Sequence, residues 1–129
     1  MELKQLGRGF TFIEILVAIF VIALIIAAFA ALTFASFVTR ESKQQELALR
    51  ITAHELETLR GNGYASLPSS GSFSDALMTG LTSATGTVTI SSFNASTKQA
   101  VVTVAWKRQQ GGTSTVSLST LITQTGGLK

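Results

Sequence analysis

The sequence contains no cysteine, a single proline and a single histidine, so several kinds of site lack the residues they need. Without cysteine, neither a disulfide framework nor a thiolate metal site can form. The lone histidine, His54, has no second ligand at metal-site spacing, so we expect no metal and no cofactor. The charged fraction is only 13%, and a net charge of +3 does not by itself indicate binding to nucleic acid.

Two further absences describe the N-terminal part. Glycine and proline are missing from Phe10 to Arg60, and charge is missing from Ile15 to Thr39. The uncharged stretch would form a helix about 37 Å long, enough to cross a hydrocarbon core of about 30 Å. Lys4 and Arg8 precede it, so the positive-inside rule keeps residues 1–9 in the cytoplasm. We predict a single membrane span, with the C-terminal part of the chain outside the cytoplasm.

One acid, Glu14, begins this apolar run, and a carboxylate in a lipid environment is costly unless it is paired. Three interpretations compete. A cleaved secretory signal has an apolar stretch of only roughly 7–15 residues, shorter than this one. A plain single-pass anchor fits the length but leaves Glu14 unexplained. The third interpretation places a processing site before the apolar run, at Gly9–Phe10.

The segment "KQLGRGFTFIEILVAIFVIALI" resembles the class III signal of type IV prepilins and of type II secretion pseudopilins. The resemblance implies that a prepilin peptidase cuts after Gly9 and that the same enzyme N-methylates Phe10. It also implies that Glu14 pairs with the Phe10 ammonium of a neighbouring subunit. Breaking a buried ion pair of this kind costs about 3–5 kcal/mol, which makes the pairing physically reasonable. An acid that merely snorkels to the membrane interface is the alternative.

After Thr39 the helix is expected to continue as an amphipathic half over residues 40–60. Glu46 and Arg50, four residues apart, are predicted to pair on its exposed side. Gly61 is predicted to cap its C-terminus in a left-handed conformation. The predicted apolar stripe consists of Leu49, Ala53, Leu56 and Leu59.

Residues 61–85 are rich in glycine and serine and are predicted to form a connecting loop. One helical turn inside it would be capped by Ser74. Tyr64 and Leu67 are expected to hold the loop against the helix.

Alternation of apolar and small polar residues over 87–93, 100–106 and 114–123 predicts an antiparallel meander of about three strands. The helix stripe would cover one face of this sheet, and Trp106 would anchor the core. The fold class is therefore α+β and pilin-like, a long N-terminal helix on a small sheet. The predicted inward-facing residues are Val88, Ile90, Val102, Val104, Trp106, Val116, Leu118 and Ile122.

The C-terminal segment "VVTVAWKRQQGGTSTVSLSTLIT" also resembles the last strands of V-type minor pilins and I-type minor pseudopilins. Ala23 and Ala31 stand where many major pilins carry a glycine and a proline, and the cysteine pair of many major pilins is absent. These departures favour a minor or secretion-type subunit. The predicted segments are the cleaved leader 1–9, the transmembrane and assembly helix 10–39, the amphipathic half 40–60, the loop 61–85 and the sheet region 86–129.

We therefore expect a structural subunit of a type IV pilus-like filament or a type II secretion pseudopilus, and not an enzyme. Its partners would be the prepilin peptidase, the inner membrane before assembly, and other pilins through the N-terminal helix. A DNA-binding competence or pilus-tip subunit is one alternative, with contacts through loops that hold Lys98 and Lys107–Arg108. A membrane-anchored β domain of unrelated function is another. The N-terminal residue of the mature protein distinguishes this last alternative from a pilin.

Overall fold

A computed structural model describes residues 9–125 of the chain. Lys4, Arg8 and the rest of the predicted leader up to residue 8 lie outside the described residues. The chain divides between Thr39 and Arg40 into two compact units, which are described in turn. One helix, α1 (Phe12–Asn62), is continuous across that division and contains 51 residues.

In the N-terminal unit every residue from Gly9 to Thr39 is exposed, including the large apolar side chains. By length and composition α1 can cross a membrane. Near the end of this unit three hydroxyls, on Thr33, Ser36 and Thr39, each donate a hydrogen bond to the carbonyl four residues earlier. Because these bonds lie within the helix, the hydroxyls need no water or partner chain.

The C-terminal unit contains a four-stranded antiparallel sheet in the order β1-β2-β3-β4. The predicted α+β fold is confirmed, with α1 packed against this sheet. The strands are β1 (Gly71–Phe73), β2 (Thr85–Asn94), β3 (Thr97–Lys107) and β4 (Thr113–Thr123), and short 3₁₀ helices occupy Tyr64–Ser66 and Ala76–Gly80.

The face of the sheet that was predicted to point inward does so. Its eight residues are all buried or half-buried, and Trp106 is 4% exposed. Two clusters make up the core. The first contains Ala48, Ile51, Leu81, Val104 and Trp106, and the second contains Leu59, Val88, Ala100, Val102 and Ile122.

The predicted stripe on the helix was shifted by about one residue. Leu49 and Ala53 are exposed, and the buried positions include Ile51 and Thr52 instead. Leu59 is buried and Leu56 half-buried, as expected. The hydroxyl of Thr52 donates to the Ala48 carbonyl at 2.6 Å, so a polar residue can occupy the buried side without an unpaired group. Residue polarity alone therefore predicts the wrong side of this part of α1 as the buried side.

The C-terminal end of α1 and the cap of the 3₁₀ helix Ala76–Gly80 also differ from the prediction. The helix includes Gly61 and ends at Asn62, and it is Gly63 that has a positive φ of 75°. The 3₁₀ turn is capped by Asp75 and not by Ser74, since the Asp75 carboxylate accepts a hydrogen bond from the Leu77 amide at 2.8 Å. Both Ser and Asp are good caps, so neighbouring candidates are hard to separate by sequence.

The segment predicted as a loop contains one strand, β1. Its three residues pair with β2, Gly71 opposite Val88 and Phe73 opposite Gly86. Tyr64 and Leu67 pack against the Leu59 cluster, as predicted. A three-residue strand leaves no alternation that a sequence pattern could detect.

Candidate functional site

The first turn of α1 contains the residues that the resemblance singles out. Gly9 and Phe10 precede the helix in an irregular, exposed stretch, and Thr11 is its N-cap residue. The Thr11 amide and hydroxyl donate to the Glu14 carboxylate at 3.0 and 3.1 Å, and the Glu14 amide donates to the Thr11 hydroxyl at 3.4 Å. This reciprocal arrangement is a capping box, and it satisfies amides that the helix itself cannot pair.

Sequence reasoning missed this local role of Glu14. The signal was present as Thr11 followed three residues later by Glu14 at the start of an apolar run. Both hydrogen bonds from Thr11 go to the same carboxylate oxygen, Oε2. Within residues 9–125 the other oxygen, Oε1, accepts no hydrogen bond. One half of the carboxylate is thus engaged by its own helix and the other half faces outward.

Packing gives no reason for a glycine at position 9 among the described residues. A Cβ built on Gly9 would meet nothing within 4 Å in residues 9–125. Side-chain space in that part of the chain therefore does not explain this glycine.

The other charged residues are scattered over the C-terminal unit. His54 lies exposed on α1, as predicted, with its Nδ1 at 3.3 Å from the Asp75 carboxylate. Glu46 and Arg50 form the expected exposed pair at 3.5 Å. In the described part of the chain, no three His, Cys, Asp or Glu side chains are grouped closely enough to hold a metal ion.

The cations proposed for DNA contact do not form one patch. Lys98 lies inside β3, not in a turn as expected, with its Nζ 4.6 Å from the centroid of the Tyr64 ring. Lys107 ends the same strand, and Arg108 follows it and donates to the Ser114 hydroxyl at 2.5 Å. Nine residues of strand separate the two lysines by about 30 Å. A binding surface for a nucleic-acid backbone needs its cations together.

Comparison with known protein families gives a match at the N-terminal segment. Residues 7–30 match the prokaryotic N-terminal methylation motif. The chain carries a prepilin signal. This signal is consistent with the type IV pilin and pseudopilin family, and it includes Gly9, Phe10 and Glu14. It supports a pilin-like precursor that is processed by a prepilin peptidase, anchored in a membrane and assembled with other pilins.

The match to the prepilin signal stops at residue 30, before the C-terminal unit begins. Neither the curated proteins nor the solved structures include a significant match to the chain.

Proposed function

We propose that this chain is the precursor of a structural subunit, a minor pilin or pseudopilin, that is cleaved after Gly9 and N-methylated at Phe10. The observation that carries the proposal is the coincidence of the prepilin signal with a helix surface that residues 9–125 leave wholly uncovered. The subunit occupies the inner membrane first and a pilus-like filament or pseudopilus afterwards.

The uncovered surface of α1 supports assembly through the helix. Its apolar side chains between Phe12 and Val38 are at least 40% exposed wherever they are large. A contiguous apolar surface of this kind needs lipid or another helix against it. Lipid supplies that cover for a single inserted subunit, and neighbouring helices supply it in a filament.

The carboxylate of Glu14 supports a role beyond capping. A glutamine can also occupy the N3 position of a capping box. The helix dipole favours an acid in the first turn by only about 0.3–1 kcal/mol, less than the cost of an unpaired charge beside an apolar run. Removal of the leader after Gly9 creates an ammonium at Phe10, and the unengaged Oε1 of Glu14 offers a partner to that ammonium on a neighbouring subunit.

The empty space around Gly9 supports cleavage at this position. A residue without Cβ lets an extended segment lie close to the backbone of a protease. Since packing within the described residues leaves this glycine unexplained, recognition by the prepilin peptidase is the reason we propose for it.

The experiment that tests the proposal is the mass of the N-terminal peptide from protein extracted from membranes. We expect a peptide that starts at Phe10 and is heavier by one methyl group. A peptide that still contains residues 1–9 would contradict the proposal and leave a single-pass anchor with an unrelated β domain. A start beyond the apolar run would instead indicate a secretory signal.

A further inference from the structure

The turn between β2 and β3 contains the sequence Asn94-Ala95-Ser96. An asparagine followed two residues later by serine or threonine, with any residue except proline between them, is the acceptor sequence for N-linked glycans. The chain has one other asparagine, Asn62, and the residue two positions after it is a tyrosine. Asn94 is therefore the one asparagine in the sequence with the acceptor pattern.

The fold places this acceptor sequence at the end of the β2–β3 hairpin. Asn94 is opposite Thr97, so Ala95 and Ser96 are the two residues that connect the strands. Asn94, Ala95 and Ser96 are all exposed, whereas Thr97 is buried. Neither core cluster contains any of the three exposed residues. An enzyme can therefore reach them, and a bulky group can be attached to them, without opening the core.

The side chain of Asn94 forms an Asx turn with Ser96. Its Oδ1 accepts hydrogen bonds from the Ser96 amide at 3.0 Å and from the Ser96 hydroxyl at 3.3 Å. A backbone amide can only donate, so the side-chain atom that faces it is the oxygen, and Nδ2 lies on the other side of the carboxamide. Within residues 9–125 this Nδ2 makes no hydrogen bond to another residue. The nitrogen that would carry a glycan is thus unengaged, on an exposed side chain.

The Asx turn explains the asparagine but not the hydroxyl at position 96. An asparagine or aspartate side chain closes such a turn through the backbone amide two residues later, so alanine at position 96 would preserve it. In the described part of the chain, the Ser96 hydroxyl bonds only to the Asn94 oxygen. A transferase can therefore recognise the carboxamide and the hydroxyl side by side in one exposed turn.

We propose that Asn94 is N-glycosylated outside the cytoplasm. The donor is an oligosaccharide joined to a membrane lipid through a diphosphate. In the transfer, Nδ2 of Asn94 forms a bond to C1 of the first sugar, and the bond from C1 to the diphosphate oxygen breaks. The lipid diphosphate leaves with the electron pair, and the proton lost from Nδ2 goes to a base of the transferase. The step needs no oxidant or reductant.

The inference rests on the proposed membrane anchoring, with the C-terminal unit outside the cytoplasm, where the acceptor sequence can meet a lipid-linked donor. It does not depend on cleavage after Gly9.

Mass spectrometry of the full chain, purified from the cells that make it, tests this inference. Tryptic cleavage after Arg60 and Lys98 releases residues 61–98 as one peptide. We expect this peptide to be heavier by the mass of an oligosaccharide, with fragment ions that place the added mass on Asn94. Asn94→Asp should lack the added mass, because an aspartate keeps the oxygen that closes the Asx turn and has no Nδ2.

Substitutions at position 96 test the hydroxyl separately. Ser96→Ala should reduce the glycosylated fraction by about tenfold or more, whereas Ser96→Thr should keep it. Ser92→Ala, at an exposed serine of the same hairpin, is the matched control and should leave the fraction unchanged. Trp106 fluorescence, measured on each purified variant, reports whether the domain is folded.

Three results would overturn the inference: an unmodified 61–98 peptide, an added mass that persists in Asn94→Asp, or equal glycosylation of Ser96→Ala and the parent. The second result would place the sugar on a serine or threonine instead. A glycan on Asn94 of a chain that keeps residues 1–9 would contradict only the proposed function. Unmodified Asn94 in a chain that starts at Phe10 would contradict only the present inference.

Discussion

Thr11 and Glu14 bond to each other across the first turn of α1, with the Thr11 amide 3.0 Å from the carboxylate. Among residues 9–125 the other carboxylate oxygen accepts no hydrogen bond. A capping role and a pairing role can therefore coexist in Glu14, and substitutions can separate them.

Glu14→Gln should remove pairing and keep capping. Glutamine also closes a capping box, so the start of the helix should be preserved. Cleavage and membrane insertion should continue, because a neutral residue lowers the cost of entering lipid. We expect normal amounts of mature, membrane-bound protein that is absent from sheared filaments and from crosslinked complexes with other pilins. Assembly equal to that of the parent would show that the charge is not needed.

Thr11→Ala is the matched control and should have the opposite effect. It removes the cap at a cost of about 0.5–2 kcal/mol to the helix but keeps the Glu14 charge. We expect incorporation into filaments or complexes to remain close to that of the parent, as measured in the same preparations. If both variants fail to assemble equally, the box and not the charge is the feature that assembly requires.

Gly9→Val should block processing. A branched side chain at this position prevents the close approach of the leader to the protease backbone. We expect uncleaved precursor to accumulate in the inner membrane, detected as a larger band and as an N-terminal peptide that includes residue 9. Gly7→Val, two residues earlier in the leader, is the control and should be cleaved. Normal levels of mature protein from Gly9→Val would place the cleavage site elsewhere.

Trp106→Ala should destabilise the C-terminal unit by about 3–5 kcal/mol, because it removes a large buried side chain. Such a loss is a large part of the stability of a small domain. Thermal unfolding of the detergent-solubilised chain, followed by circular dichroism, measures the change. Phe93→Ala, at an aromatic residue that is 61% exposed, should change the free energy of unfolding by only about 0.5 kcal/mol or less. Equal midpoints for the two variants would contradict the core assignment.

Gly86→Ala should also be destabilising. Its Cβ would lie 2.5 Å from the Met78 methyl and 2.7 Å from the Phe73 ring, so both side chains must move. Overpacking of this kind costs about 1–3 kcal/mol. Gly71→Ala, where a Cβ meets nothing within 4 Å, is the control for the same substitution in a strand. A melting temperature unchanged in Gly86→Ala would mean that the Phe73 ring adjusts freely.

The sequence predicted the strands and their inward face because strict alternation has one structural interpretation. Trp106 and Val104 were placed correctly on this basis. The phase of the amphipathic helix was not predictable from polarity, since the Thr52 hydroxyl bonds to its own helix and lies inside. The spacing of Thr11 and Glu14 is that of a capping box. From the sequence we assigned Glu14 a role by its charge alone and did not predict the box.

The two hydrogen bonds between the Ser70 hydroxyl and the Ile90 backbone could not be predicted from the sequence at all. Ile90 lies 20 residues from Ser70, and the bonds depend on how the loop returns to the sheet. Serines in a glycine- and serine-rich loop look alike in sequence, so only the fold distinguishes Ser70 from Ser69.

Phe73, in the shortest strand, packs against both core clusters. The Trp106 cluster and the Leu59 cluster otherwise contain different buried residues. Both clusters also share α1 and β3, so Phe73 adds a side-chain link from β1 to the backbone that already joins them. In Phe73→Ala, the opening free energies measured by hydrogen exchange for amides near Leu59 and for amides near Trp106 should differ more than in the parent.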